Sequence, residues 1–199
     1  MINYDGMKAE ASRSAFEMLP EGAYVAKITA VKIDGETPNQ NLIIRVDITE
    51  GEHKDYFTKR YQAENTGNSR FPAKYRGDYR LRIPNPASDS KYPESDKRQM
   101  NDAIYRIESS NPGFHFDGDE KKLVGKVVGI TMRLGTYNDK PFTVIGRFET
   151  VSDVKDGLCK KMAPKQPSWS PDYLAAKEQA EAAVPAGFTP VENTDEIPF

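Results

Sequence analysis

The sequence predicts a mainly β fold: a five-stranded barrel with one helix between strands three and four, a long loop after strand three and an extended C-terminal tail. Three observations predict it. Apolar and polar residues alternate in four of five short runs, the period of a half-buried strand, and the third run carries rings on both faces. One stretch between the third and fourth runs has helical spacing instead. Beyond Ser152 the composition turns polar and is punctuated by Pro164, Pro167 and Pro171.

In chain order, residues 1–18 are polar with scattered apolar positions and read as an N-terminal arm. Leu19-Pro20-Glu21-Gly22 is a turn. Tyr24, Ala26, Ile28 and Ala30 then share one face, with Lys27 and Thr29 on the other, which makes the first strand. Residues 35–39 break it. Leu42, Ile44, Val46 and Ile48 alternate with Arg45, Asp47 and Thr49 in the second strand, the clearest of the five. Residues 54–61 are expected to form the third, with rings on both faces, so that one set must point inward.

Residues 62–95 are rich in Asn, Ser, Pro and Gly without a sustained period, although Leu81 and Ile83 can anchor a short strand. Loops of such length within a domain tend to be functional or disordered. Ser95 is the expected cap of a helix whose stripe is Met100, Ile104 and Ile107 and which Asn111-Pro112-Gly113 stops. Phe114 and Phe116 return the chain to the core. Val128, Ile130, Met132 and Leu134 form the fourth strand, residues 135–140 a hairpin loop, and Phe142, Val144, Gly146 and Phe148 the fifth.

Five strands with a helix between the third and fourth is the order of the OB-fold, a small Greek-key barrel. Its binding face is made by strands two and three and by the loops joining strands one to two and four to five. The expected division is an OB-fold nucleic-acid-binding domain over residues 19–152 and a flexible tail over 153–199. Within the tail, Ser170 and Pro171 can start a short Ala-rich helix over 171–184.

Bulk properties exclude several classes. The single cysteine, Cys159, forbids an internal disulfide framework and fits a reducing cytoplasm. No apolar run reaches membrane-spanning length, and the N-terminus lacks a basic-then-apolar leader pattern. The mean hydropathy of −0.71 is polar for a globular chain and predicts long loops or a disordered tail beside a compact core, and the pI near 5.8 argues against a generic polycation that coats duplex DNA.

Charge is nevertheless concentrated. Residues 54–82 carry eight Lys and Arg against three acids, in a chain whose net charge is −2. Six rings are threaded through them: Tyr56, Phe57, Tyr61, Phe71, Tyr75 and Tyr79. Cations for phosphates and rings for unstacked bases are the requirements of single-stranded nucleic acid binding. The same composition also suits ordinary half-buried aromatics with solubilising cations around them. On the binding reading, Arg45, Lys59, Arg60, Arg70, Lys74, Arg76, Arg80, Arg82 and Lys140 track phosphates. Tyr56, Tyr61, Phe71, Tyr75, Tyr79 and Tyr137 supply the stacking rings.

The last five residues, Asp195-Glu196-Ile197-Pro198-Phe199, place two acids before an apolar tripeptide. Ile197 and Phe199 suit an apolar pocket, and the carboxylates suit Lys or Arg around it, so the tip reads as a peptide ligand for a partner protein.

With this tip the chain resembles bacterial and phage single-stranded DNA-binding proteins, which pair an OB-fold with a tail ending in acids and Ile-Pro-Phe. A nearer resemblance is to phage and prophage proteins of this length encoded among recombination genes. It is carried by Leu19-Pro20-Glu21-Gly22-Ala23-Tyr24, Val46-Asp47-Ile48-Thr49-Glu50-Gly51, Leu123-Val124-Gly125-Lys126 and Tyr137-Asn138-Asp139-Lys140-Pro141. It implies protection of single-stranded DNA in replication, recombination and repair, with the tip recruiting partner enzymes. A homo-oligomer is compatible with it.

Two other readings stand beside it. One is an OB-like interaction adaptor in a recombination complex that does not touch DNA. The other is a nuclease built on Asp117, Asp119 and Glu120, but these lack the further ligands of a calcium loop and read better as a charged turn. No nucleophile and base pair, phosphate-binding glycine loop or zinc spacing occurs, so neither an enzyme nor a cofactor is expected.

Overall fold

The structure, a computed structural model, describes residues 16–65, 72–137 and 140–165. Its organising strand is the one with the strongest alternation. In β2 (Asn41–Ile48), Leu42, Ile44, Val46 and Ile48 are buried on one face, the last three completely. Each fully buried aliphatic side chain contributes about 1.5–3 kcal/mol. β2 pairs on one side with β1 (Gly22–Asp34), where Ala26 and Ile28 extend the same core face. A register irregularity between Ile28 and Ala30 then reverses the alternation. Ala30, expected on the core face, is therefore exposed.

β2 pairs on its other side with β3 (Asp78–Arg82), and β1 with β4 (Val127–Tyr137), which pairs with β5 (Lys140–Glu149). All pairings are antiparallel, and the order is β3-β2-β1-β4-β5. The mainly β, five-stranded sheet is as expected. Closure into a hydrogen-bonded barrel is not: β3 and β5 remain the edges of the sheet.

The expected third strand is a helix. α1 spans Tyr56–Glu64, and the strand lies later, at Asp78–Arg82, inside the segment read as loop. Helical spacing puts Tyr56, Phe57 and Arg60 against the body and leaves Lys59 and Tyr61 exposed, which serves the burial of two rings as well as a strand does. A contact remote in sequence decides between the two. The Asp47 carboxylate, buried in β2, accepts hydrogen bonds from the Phe57 and Thr58 amides, both at 3.0 Å, and from Ile48 N at 2.9 Å. The Phe57 and Thr58 amides open the helix and have no partner within it. Leu81, the expected anchor, is the buried residue of β3.

α2 (Pro93–Ser110) starts two residues before the expected Ser95 cap, with Pro at its first turn and Glu94 and Asp96 beside it. Its stripe of Met100, Ala103, Ile104 and Ile107 packs on the core. Asn111 ends it and fixes it to the sheet, donating to Ile107 O and Val127 O at 2.7 Å and accepting from Val127 N at 3.0 Å. A 3-10 turn over Glu120–Leu123 follows, where Asp119 accepts from Lys121 N and Asp117 pairs with Lys122. The carboxylates weighed as metal ligands are thus turn and surface groups.

The boundary expected at 152 falls within α3 (Val151–Lys155), and the chain then stays on the sheet. Lys161 pairs with Glu21 at 2.8 Å, Met162 lies over Gly146, and Lys165 N bonds Leu134 O at 2.6 Å. The short helix expected over 171–184 and the tip at 195–199 lie outside the described residues.

Candidate nucleic-acid interface

The face of β2 opposite the core carries Ile43, Arg45 and Asp47. Arg45 is paired in register with Asp78 of β3, and its guanidinium grips that carboxylate at 2.7 and 3.0 Å. This hydrogen bond raises the already high pKa of Arg45 further. The same guanidinium lies 4.4 Å from the centre of the Tyr75 ring. Tyr75 in turn lies 5.7 Å from Tyr61 of α1 and 6.2 Å from Phe57. Its hydroxyl reaches Val46 O at 3.2 Å, and burial pushes its pKa up to about 12.

Arg45, Tyr75 and Tyr61 therefore form one continuous cation-and-ring patch from the middle of β2 to α1. Lys74 and Arg76 flank Tyr75 in the chain and are exposed, with no ion-pair partner among the described residues. Lys59 is exposed too, and its ammonium donates to Lys54 O at 2.7 Å. Arg45, Tyr61 and Tyr75 are thus the part of the expected site that the fold brings into contact, with Lys74 and Arg76 adjoining Tyr75, whereas Lys59 lines a separate pocket with Phe16, His53 and Tyr56.

Other expected site residues serve the fold instead. Tyr56 is buried, and its hydroxyl takes Leu19 N at 3.0 Å, donates to Glu17 O at 2.8 Å and receives Arg60 at 3.2 Å. It pins the residues before β1 onto α1, with Phe16 edge-on at 5.3 Å. Arg60 commits its Nε to Glu64 at 2.8 Å. Tyr79 points inward from β3, its ring 4.5 Å from Phe148 of β5, and burial raises its pKa. Tyr56 is thus corrected from a stacking ring to a packing ring, because its burial leaves no room for a base, and Tyr79, partly buried against the core, is engaged by Phe148.

Arg82 donates to Asn39 Oδ1 at 2.7 Å and pairs with Asp89, tying the β1–β2 loop to the segment after β3. Arg80 is exposed on the outer face and holds Asp34 at 3.0 Å. Arg70 and Phe71 lie outside the described residues. Tyr137 ends β4 and Lys140 begins β5, but their side chains lie outside what is described.

Sequence reasoning missed the apolar cleft beside Arg45, lined by Ala30, Val31, Lys32, Ile43, Arg45 and Asp78. Its signal was the outward half of the β2 alternation, Ile43 close to Arg45, which draws less notice than the inward half. Among the described residues, no group of three or more His, Cys, Asp and Glu is placed to hold a metal ion, and no helix is long and apolar enough to cross a membrane. No protein-family model and no curated protein matches the chain.

Proposed function

We propose that this chain binds single-stranded DNA without sequence preference, across the outer face of β2 and β3. The observation that carries the reading is the Arg45 guanidinium over the Tyr75 ring, with exposed Tyr61, Lys74 and Arg76 beside it. A base can stack against the exposed edge of such a platform while Lys74 and Arg76 meet the neighbouring phosphates. The strand order and the helix between β3 and β4 suit a partly open OB-fold, with α1 as an insertion between its second and third strands. On that reading the patch lies on the face by which OB-folds take oligonucleotides. The resemblance of the Asp195–Phe199 tip supports a role in phage replication and recombination, with the tip recruiting a partner enzyme.

The adaptor reading also has an observation in its favour. Arg45, Arg80 and Arg82 each hold a carboxylate of their own, which lowers the positive potential of the face. One titration separates the two. Fluorescence polarisation with a labelled oligothymidylate and a duplex of equal length should give tighter, salt-sensitive binding of the single strand. Equal affinity for both, or no binding at low salt, refutes the proposal and leaves the adaptor.

A further inference from the structure

We infer that Asp78 and Asp34 are built-in competitors for phosphate, occupying the two seats that a bound strand must take over. The inference rests on the single-strand-binding reading above. Its basis is the arrangement around the outer cleft. Ala30, Val31 and Ile43 give the cleft an apolar lining, with Lys32 at its rim. Arg45, at one end, is held bidentately by Asp78. Arg80 is the cross-strand partner of Ile43 and holds Asp34 at 3.0 Å.

Neither pair is sealed. Side-chain exposures are 40% and 29% for Arg45 and Asp78, and 56% and 43% for Arg80 and Asp34, so a ligand can reach all four groups. The guanidinium fork matches carboxylate and phosphate equally well. Each aspartate thus stands where a phosphate oxygen would stand, on either side of a lining suited to an unstacked base.

Binding at these two arginines is then an exchange and not an addition. Part of the Coulomb gain from a phosphate is cancelled by the carboxylate it displaces. A single strand compensates by placing a base in the cleft between the seats. A duplex keeps its bases stacked and paired, and so cannot. The two carboxylates therefore act as a selectivity device against duplex and against polyanions in general, while the open cations Lys32, Lys74 and Arg76 steer the first encounter.

The test compares the full chain with its Asp34→Asn, Asp78→Asn and doubly substituted forms. Each is titrated by fluorescence polarisation against labelled oligothymidylate and duplex over a range of salt. The inference expects affinity for the single strand to rise by up to about five-fold per released arginine, the equivalent of an exposed ion pair. Duplex affinity should rise by a larger factor, so that discrimination shrinks. The slope of log affinity against log salt should steepen by about 0.7 for each freed cation on the single strand.

If the wild type binds and the substituted forms bind equally or more weakly, the aspartates only position the arginines and the inference is overturned while the function stands. Loss of binding in every form removes both. Binding seen only after substitution refutes the single-strand reading of the wild type and the inference with it. Circular dichroism checks each fold. Asp34 is the last residue of β1, so Asp34→Asn gives the same readout, at half the expected effect, should Asp78→Asn unfold.

Discussion

The Tyr79 ring on the edge strand β3 lies 4.5 Å from the Phe148 ring on the opposite edge strand β5. These two strands share no hydrogen-bonded ladder, so ring packing and the overlying α2 stripe hold the open side of the sheet together. Tyr79 is partly buried, so Tyr79→Ala should cost about 3 kcal/mol, the lower end of the range for a fully buried ring, and Tyr79→Phe under ~1 kcal/mol. Chemical denaturation measures this. Affinity for single-stranded DNA, measured where the variant is still folded, should stay unchanged. A large loss of affinity with little loss of stability would return Tyr79 to the binding surface.

Asp47 should be the most sensitive polar residue of the sheet. Its buried carboxylate accepts from three amides, two of which start α1. Asp47→Ala leaves those donors unpaired at a cost of about 1–3 kcal/mol. Asp47→Asn retains acceptor capacity on one side and should lose less. Hydrogen exchange at Phe57 and Thr58 should accelerate in Asp47→Ala well before the β1–β2 ladder does. Uniform acceleration would show that α1 does not depend on this contact.

The difference between α1 and the strand expected there shows where the sequence was legible. β2 follows the alternation of its residues, and local pattern also locates β4 and β5, although a register irregularity between them brings Ile145, expected on the face opposite Phe148, into the core beside it. Residues 54–61 bury two adjacent rings, Tyr56 and Phe57, and alternation cannot tell a helix from a strand with rings on both faces. The deciding group, Asp47, is nine residues before the helix begins and has the look of an ordinary outward strand residue. The site suffered from the same gap. Composition found the basic and aromatic stretch, but only the fold sorts Tyr61 and Tyr75 from Tyr56 and Tyr79. The pairing of Arg45 with Asp78 requires the β2–β3 register, which no local pattern reveals.

Tyr75 gives the protein an alkaline limb. Its pKa is raised to about 12 from 10, chiefly by burial, so the folded state holds the phenolic proton more tightly than the unfolded chain. Stability from this group is complete below pH 10 and declines as pH rises from 10 through 12, because the unfolded state releases its proton first. Tyr75→Phe has no such proton. Its denaturation midpoint should fall less steeply than that of the wild type over this window, and an identical slope would contradict the assignment.

On the proposed binding surface, Tyr61→Ala should weaken single-strand affinity by about 1–3 kcal/mol. Removing Lys74 and Arg76 together should reduce the salt slope by about 1.4, at about 0.7 for each phosphate that is no longer neutralised. Tyr61 is 39% exposed, so the melting temperature of Tyr61→Ala should move little. Full affinity in both variants would move the interface away from α1 and the segment before β3.

Two glycines should respond to alanine for different reasons. A Cβ at Gly77 would meet Phe57 ring atoms at 2.8 Å and the Val46 carbonyl oxygen more closely still. Gly77 O also accepts the 2.9 Å bond from Val46 N where β3 approaches β2. Relief requires the backbone of β2 or the ring of Phe57 to move, and both belong to the core. Gly113 sits at φ +81 with open space around it, so Gly113→Ala meets no atom and bears only the cost of the left-handed backbone, about 1–2 kcal/mol. Gly77→Ala should exceed that cost and also loosen the Arg45–Tyr75 patch, because Gly77 fixes where the chain from Tyr75 to Asp78 crosses β2. Denaturation should therefore rank Gly77→Ala below Gly113→Ala, with DNA affinity reduced only in the former. Equal stability of the two would mean that Phe57 can yield without cost.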